Sequence, residues 1–149
     1  MRIFTTILCA LLTGTAFAQS PEAFVQQIRD AAKESCITVT YDFKTTIDGA
    51  VIEDSGYVEA QDNSWHLKGE TIEMYTNDKG TWILNPDSKE AMVEPAWSYD
   101  DLVQFYGSVK TVGADMKIDV KSKVLSEKKP AALFMPPSFD SDWVVTDLR

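Results

Sequence analysis

Polar and apolar positions change period along the chain and divide it into elements. Ser20-Pro21-Glu22 reads as a helix start, with a serine to cap, a proline at the first helical position and an acid beside it. Phe24, Ile28, Ala31 and Ala32 then recur at helical spacing, which predicts a helix over 21–35 with one core-facing side. From Ile37 the period is two. Ile37, Val39, Tyr41, Phe43 and Thr45 alternate with Thr38, Thr40, Asp42 and Lys44. Asp48-Gly49 is a hairpin turn, and Val51 to Ala60 returns as a second strand with Gly56 a candidate bulge. After a turn at Gln61 to Asn63, Trp65 and Leu67 alternate with His66 and Lys68. Ile72 and Met74 alternate with Glu73 and Tyr75. A turn over Asn77 to Gly80, a strand with Trp82 and Leu84, a turn at Asn85-Pro86-Asp87 and a strand through Ala91 and Val93 follow. The segment 37–94 thus predicts an antiparallel meander of about six strands.

Pro95 ends the meander. Tyr99-Asp100-Asp101 opens a short amphipathic helix whose apolar residues are Leu102, Val103, Phe105 and Tyr106, with Gly107 as its stop. Met116, Ile118 and Val120 alternate again and predict a strand. A polar turn at Glu127 to Pro130 follows. Ala132 to Met135 and Trp143 to Leu148 read as the last strands, separated by Pro136-Pro137-Ser138. The pattern is α+β, with no internal repeat or linker.

The first residues change the picture of where this domain works. Arg2 precedes an apolar run from Ile3 to Leu12, too short to cross a bilayer, and Ala16-Phe17-Ala18 has the small-x-small form of a leader cleavage site. A secretory signal peptide over 1–18 is expected, with cleavage after Ala18 and export to the periplasm. Residues 19–149 then form one domain with no integral membrane segment. Its 131 residues (149 less 18) suffice to bury about two-thirds of the extended surface. With Arg2 gone, 13 of the 14 Lys and Arg residues face 23 Asp and Glu, net −10. That charge argues against nucleic acid and against an anionic membrane surface as partners. Cys36 is then the sole cysteine, so no internal disulfide forms. Its place at the head of an apolar strand reads as a small buried hydrophobe.

Catalytic and metal-binding patterns are not found. His66 is the single histidine, alternating with Trp65 and Leu67 and so expected on the wetter face. There is no second histidine for a metal pair, no cysteine cluster, no nucleophile elbow and no phosphate loop. Glu53-Asp54 point to opposite faces of a strand, Asp100-Asp101 suit a helix start, and Asp140 with Asp142 lack the remaining ligands of a calcium loop. No enzyme activity, cofactor or metal is expected.

The large apolar residues are what stand out. Tyr41, Phe43, Trp65, Met74, Trp82 and Leu84 occupy alternating positions on successive strands and are expected to share one apolar face. Short helices would have to cover it, since a bare apolar sheet aggregates. A strongly curved sheet covered by two small helices leaves either a concave apolar space or a packed core filled by these same side chains.

The order of features resembles the LolA-like family of periplasmic outer-membrane lipoprotein carriers, in its short form. Within YTNDKGTWILNPDSKEAMVE, residues Gly80, Trp82, Pro86 and Glu90 to Val93 match the family's two-strand segment. Trp65-His66-Leu67 resembles the aromatic strand before it, and FMPPSFDSDWVVTDLR resembles the C-terminus of short members. The likeness covers most of 20–95 and roughly the last fifteen residues, through degenerate motifs. It implies an incomplete β-barrel, or half-barrel, with an N-terminal helix and a short lid helix over an apolar cavity. It further implies a non-enzymatic carrier that takes the acyl chains of lipoproteins, or similar amphiphiles, and passes them toward the outer membrane, with inner- and outer-membrane transfer proteins as partners. Together with the pattern, it marks Tyr41, Phe43, Trp65, Leu67, Ile72, Met74, Trp82 and Leu84 as ligand-facing, with Leu102, Phe105 and Tyr106 on the lid.

Two features depart from the family. Its carriers close the lid with a strand arginine, whereas Arg29 lies on the predicted helix and Arg149 at the C-terminus. The stretch between meander and C-terminus is also short, which implies a reduced lid. The alternative is an exported structural or protein-binding module whose apolar face is solid core.

Overall fold

Ser20 caps the first helix as its sequence predicts, its Oγ accepting from the Ala23 N–H at 3.2 Å. The computed structural model describes residues 18–110 and 116–149, with the side chains of residues 18, 19, 47, 106–110 and 116 outside the described set. The expected leader, Ala18 apart, lies outside the described residues. Helix α1 spans Pro21–Ala32 and buries Phe24, Val25, Ile28 and Ala32. It ends short of the expected Ser35 because the Ala32 carbonyl, which a further turn would use, accepts from the Asp62 N–H at 2.6 Å.

Among the described residues nine strands form one sheet: β1 (Ala18–Gln19), β2 (Cys36–Ile47), β3 (Ala50–Gln61), β4 (Ser64–Lys68), β5 (Glu73–Asn77), β6 (Gly80–Asn85), β7 (Glu90–Glu94), β8 (Met116–Ser126) and β9 (Val144–Asp147). Helix α2 (Tyr99–Lys110) stands between β7 and β8. The expected meander is β2 to β7, each strand antiparallel to the next. Asp48 and Gly49, at φ 50° and 80°, make the left-handed turn between β2 and β3. Strand β8 returns beside β2, β1 adds to its far side, and β9 pairs parallel with β7. The sheet is mixed and open, with β1 and β9 at its two edges. The half-barrel comparison therefore goes no further than an α+β sheet carrying helices.

Several local expectations are corrected. Gly56 sits in unbroken β2–β3 register opposite Tyr41, and the irregularity falls between β2 and β8 at Thr40/Tyr41. Glycine is needed at 56 because a Cβ there would strike the Lys68 carbonyl oxygen. Helix α2 runs through Gly107 to Lys110. Ile72 lies in the loop before β5 rather than on a strand. Residues Ala131–Phe134 form a 3₁₀ turn, not a strand, with the Leu133 N–H donating to the Pro130 carbonyl at 3.1 Å and the Met135 N–H to the Ala132 carbonyl at 3.2 Å.

Register separates the two faces. One carries Ile37, Val39, Tyr41, Val58, Ala60, Trp65, Leu67, Met74 and Ile118, which pack with Phe24, Val25, Ile28 and Ala32 of α1 and Tyr99 and Leu102 of α2. The other carries Trp82, Leu84, Ala91 and Val93, packed with Phe139 and Trp143 of the C-terminal segment. That segment is fastened along its course. Gln61 exchanges hydrogen bonds with the Lys129 backbone at 2.7 and 2.8 Å, and Asn77 Nδ2 donates to the Phe134 carbonyl at 3.0 Å. Cys36 is buried as expected, with Glu59 Oε1 3.8 Å from its Sγ. Burial, and after it the nearby Glu59 charge, pushes its thiol pKa up, which disfavours the reactive thiolate.

Candidate functional site

The helix-covered face is built from strand positions two residues apart and from one side of each helix. Tyr41 meets Phe24 edge-on, with ring centroids 5.4 Å apart. Trp65 lies at 4.9 Å and 34° against Tyr99, the first residue of α2. Leu102 follows one turn later and is buried. Beyond it Phe105 contacts Trp97 at 5.8 Å. Of the residues marked in the sequence, Tyr41, Phe43, Trp65, Leu67, Met74, Leu102 and Phe105 are brought together here, with Phe43 and Phe105 at the partly buried rim.

The remaining marked residues go elsewhere. Trp82 and Leu84 belong to the cluster on the opposite face, so the expected single apolar face is corrected. The β5–β6 register explains the split. Tyr75 faces Trp82 while Thr76 faces Thr81, and Thr76 also faces Trp65 across β4–β5. Neighbours along a strand point oppositely, so Trp65 and Trp82 lie on different sides. Ile72 is 39 % exposed and borders a shallow groove of about 270 Å³ with Ile83, Met92 and Val144. The Tyr106 side chain lies outside the described residues.

Tyr99 was read only as a helix opener, yet it is a wall of this site. Its spacing of three from Leu102 was the available signal. Its hydroxyl donates to the Asp62 carbonyl at 2.5 Å. Burial, and then the Asp62 charge, raises its pKa well above the ordinary tyrosine value, so the phenol stays a neutral donor. The Asp62 N–H holds the end of α1 as described above, so one turn residue between β3 and β4 fastens both helices. A capping box starts α2, with Ser98 N–H donating to Asp101 Oδ2 at 2.7 Å and Asp101 N–H to Ser98 Oγ at 3.2 Å. The helices are also linked by Arg29 and Asp100 at 3.5 Å, an exposed pair of small energetic weight. Beside α2 an open cleft of about 460 Å³ is lined by Pro95, Ala96, Trp97, Asp101, Gln104 and Phe105.

On the opposite face His66 is bonded within the sheet. Its Nε2 lies 2.7 Å from Glu73 Oε1, Tyr75 OH donates to the same oxygen at 2.7 Å, and the His66 and Tyr75 rings stack at 4.1 Å. Burial opposes the charge on Glu73, and the bonds from Tyr75 and His66 outweigh it, so its pKa is lowered. Its carboxylate is thus used up in holding neighbouring strands. Among the described residues no three His, Cys, Asp or Glu gather around a common point that a metal ion would fill. No described helix is long and apolar enough to cross a membrane. No family model matches the chain, and no curated protein matches it either.

Proposed function

We propose that the protein is an exported carrier without catalytic activity, which shelters acyl chains of lipoproteins or similar amphiphiles between its sheet and its two helices. The supporting observation is the joining of Tyr41, Phe43, Trp65, Leu67 and Met74 with Leu102 and Phe105 under a short helix whose first residue, Tyr99, is bonded to Asp62. Transfer would run in the periplasm, from inner-membrane to outer-membrane partners, as the resemblance to LolA-like carriers implies. Each methylene moved from water to such a face is worth about 0.8 kcal/mol, so an acyl chain supplies enough to displace helix contacts. Helix α2, which carries Tyr99, Leu102 and Phe105, would be the moving part. An environment-sensitive acyl probe should gain fluorescence on binding the purified mature protein and be displaced by fatty acid.

A second reading rests on a different observation. Trp65 and Met74 are fully enclosed and Leu102 is 1 % exposed, which suits a packed core. The protein would then be an exported structural or protein-binding module. Absence of saturable probe binding at micromolar concentration would select that reading.

A further inference from the structure

Among the described residues, two buried side-chain atoms have no hydrogen-bond partner, Thr45 Oγ1 on β2 and the indole Nε1–H of Trp65 under α2. The Trp65 side chain is wholly buried. The other tryptophan close to α2 differs, since Trp97 Nε1 donates to Glu94 Oε2 at 2.7 Å. Buried donors are nearly always paired, because losing water without gaining an acceptor is unfavourable. The orphan lies beside Tyr99, whose own hydroxyl is committed to Asp62. The first turn of α2 covers it, so movement of that helix is what would expose it.

We infer that the Trp65 indole N–H is a subsite for the carbonyl oxygen of an acyl ester or amide, with the hydrocarbon chain lying along the apolar face toward Tyr41 and Phe43. The inference rests on the carrier reading and adds to it which part of the ligand is recognised. An acceptor-only oxygen at the head of an apolar chain matches a donor-only nitrogen enclosed in an apolar face. Tyr41 and Phe43 continue that face along β2 from Ile37, whose partner Ala60 also pairs with Trp65. Discrimination follows from the same geometry. A pure hydrocarbon leaves the N–H unpaired and forfeits the hydrogen bond, whereas an ester or amide of equal length regains it.

The test compares methyl laurate, N-methyl lauramide and tridecane as competitors of an acyl fluorophore, alongside ¹⁵N-resolved spectra of the indole N–H groups. The ester and amide should move the Trp65 indole proton resonance downfield and tridecane should not. Trp65→Phe should weaken the ester and amide about five- to tenfold and leave tridecane within twofold. The spectrum of the unmodified protein keeps the question decidable if that variant folds poorly. Equal competition by all three compounds, with no shift of the Trp65 signal, would overturn the subsite and leave the carrier reading intact. Failure of all three to compete would overturn the carrier reading and the subsite with it.

Discussion

Trp65 and Trp82 stand on opposite faces of one sheet, Trp65 under the helices and Trp82 under the C-terminal segment. The two are linked through neighbouring residues of β5, Thr76 opposite Trp65 and Tyr75 opposite Trp82. Arg149 lies over the Trp82 ring at 5.6 Å and Phe139 meets Trp143 at 5.1 Å nearby, so this back face is closed by the end of the chain.

That separation distinguishes the two tryptophans in experiment. Each truncation to alanine should cost about 3–5 kcal/mol in urea unfolding, since both rings are nearly enclosed. Only Trp65→Ala should also weaken acyl-probe binding. Trp82→Ala should bind the probe as the unmodified protein does, when assayed where the variant is fully folded. Loss of binding in Trp82→Ala alone would place the ligand on the wrong face.

Phe105 should control exchange. It is partly buried, lies against Trp97 and is remote from the Tyr99 anchor. Burying a large apolar side chain is worth about 1.5–3 kcal/mol, so Phe105→Ser should raise the open population of α2. Stopped-flow measurements should give faster association and faster dissociation of the probe. Unchanged rates in both directions would mean that α2 is not a lid.

Glu73 should give the stability a pH dependence of defined sign. Its pKa is lowered in the folded state, and a group so shifted adds stability that is complete above its unfolded pKa and lost as pH falls through the folded one. The ordinary value of a glutamate carboxyl is 4.5, so the contribution is whole above that pH and fades below it. Glu73→Gln should be less stable than the unmodified protein at pH 7 by about 1 kcal/mol. The gap should narrow as pH is lowered past 4.5. A gap that stays constant between pH 7 and 3 would rule out the bonds to Tyr75 and His66 as its source.

Export is tested by the first residue of the mature chain. Cleavage after Ala18 leaves Gln19, which retains its pairing with Ile118 in β8 and stands beside the Ser20 cap of α1. Intact-mass analysis of protein recovered from the periplasmic fraction should match a chain beginning at Gln19. Recovery of a full-length chain from the cytoplasm would remove both export and the lipoprotein route.

The sequence specifies the elements whose signals are local. Ser20-Pro21 starts α1, Asp48-Gly49 turns β2 into β3, and the two-residue period runs through the meander, because caps, turns and alternation depend on neighbours within a few positions. It also placed Cys36 in the core and set His66 opposite Trp65 and Leu67. Alternation says which residues of one strand share a side, but the side passes to the next strand only through register, which turn length and pairing fix. That Trp82 and Leu84 leave the face of Trp65 and Met74 is therefore set by strand pairing in the folded chain. The same limit applies to Ala131–Phe134, where an apolar run is a strand only if an edge is within reach. It applies as well to Asp62, whose backbone joins Ala32 to Tyr99 by bonds that no local pattern encodes, since main-chain groups carry no residue signature.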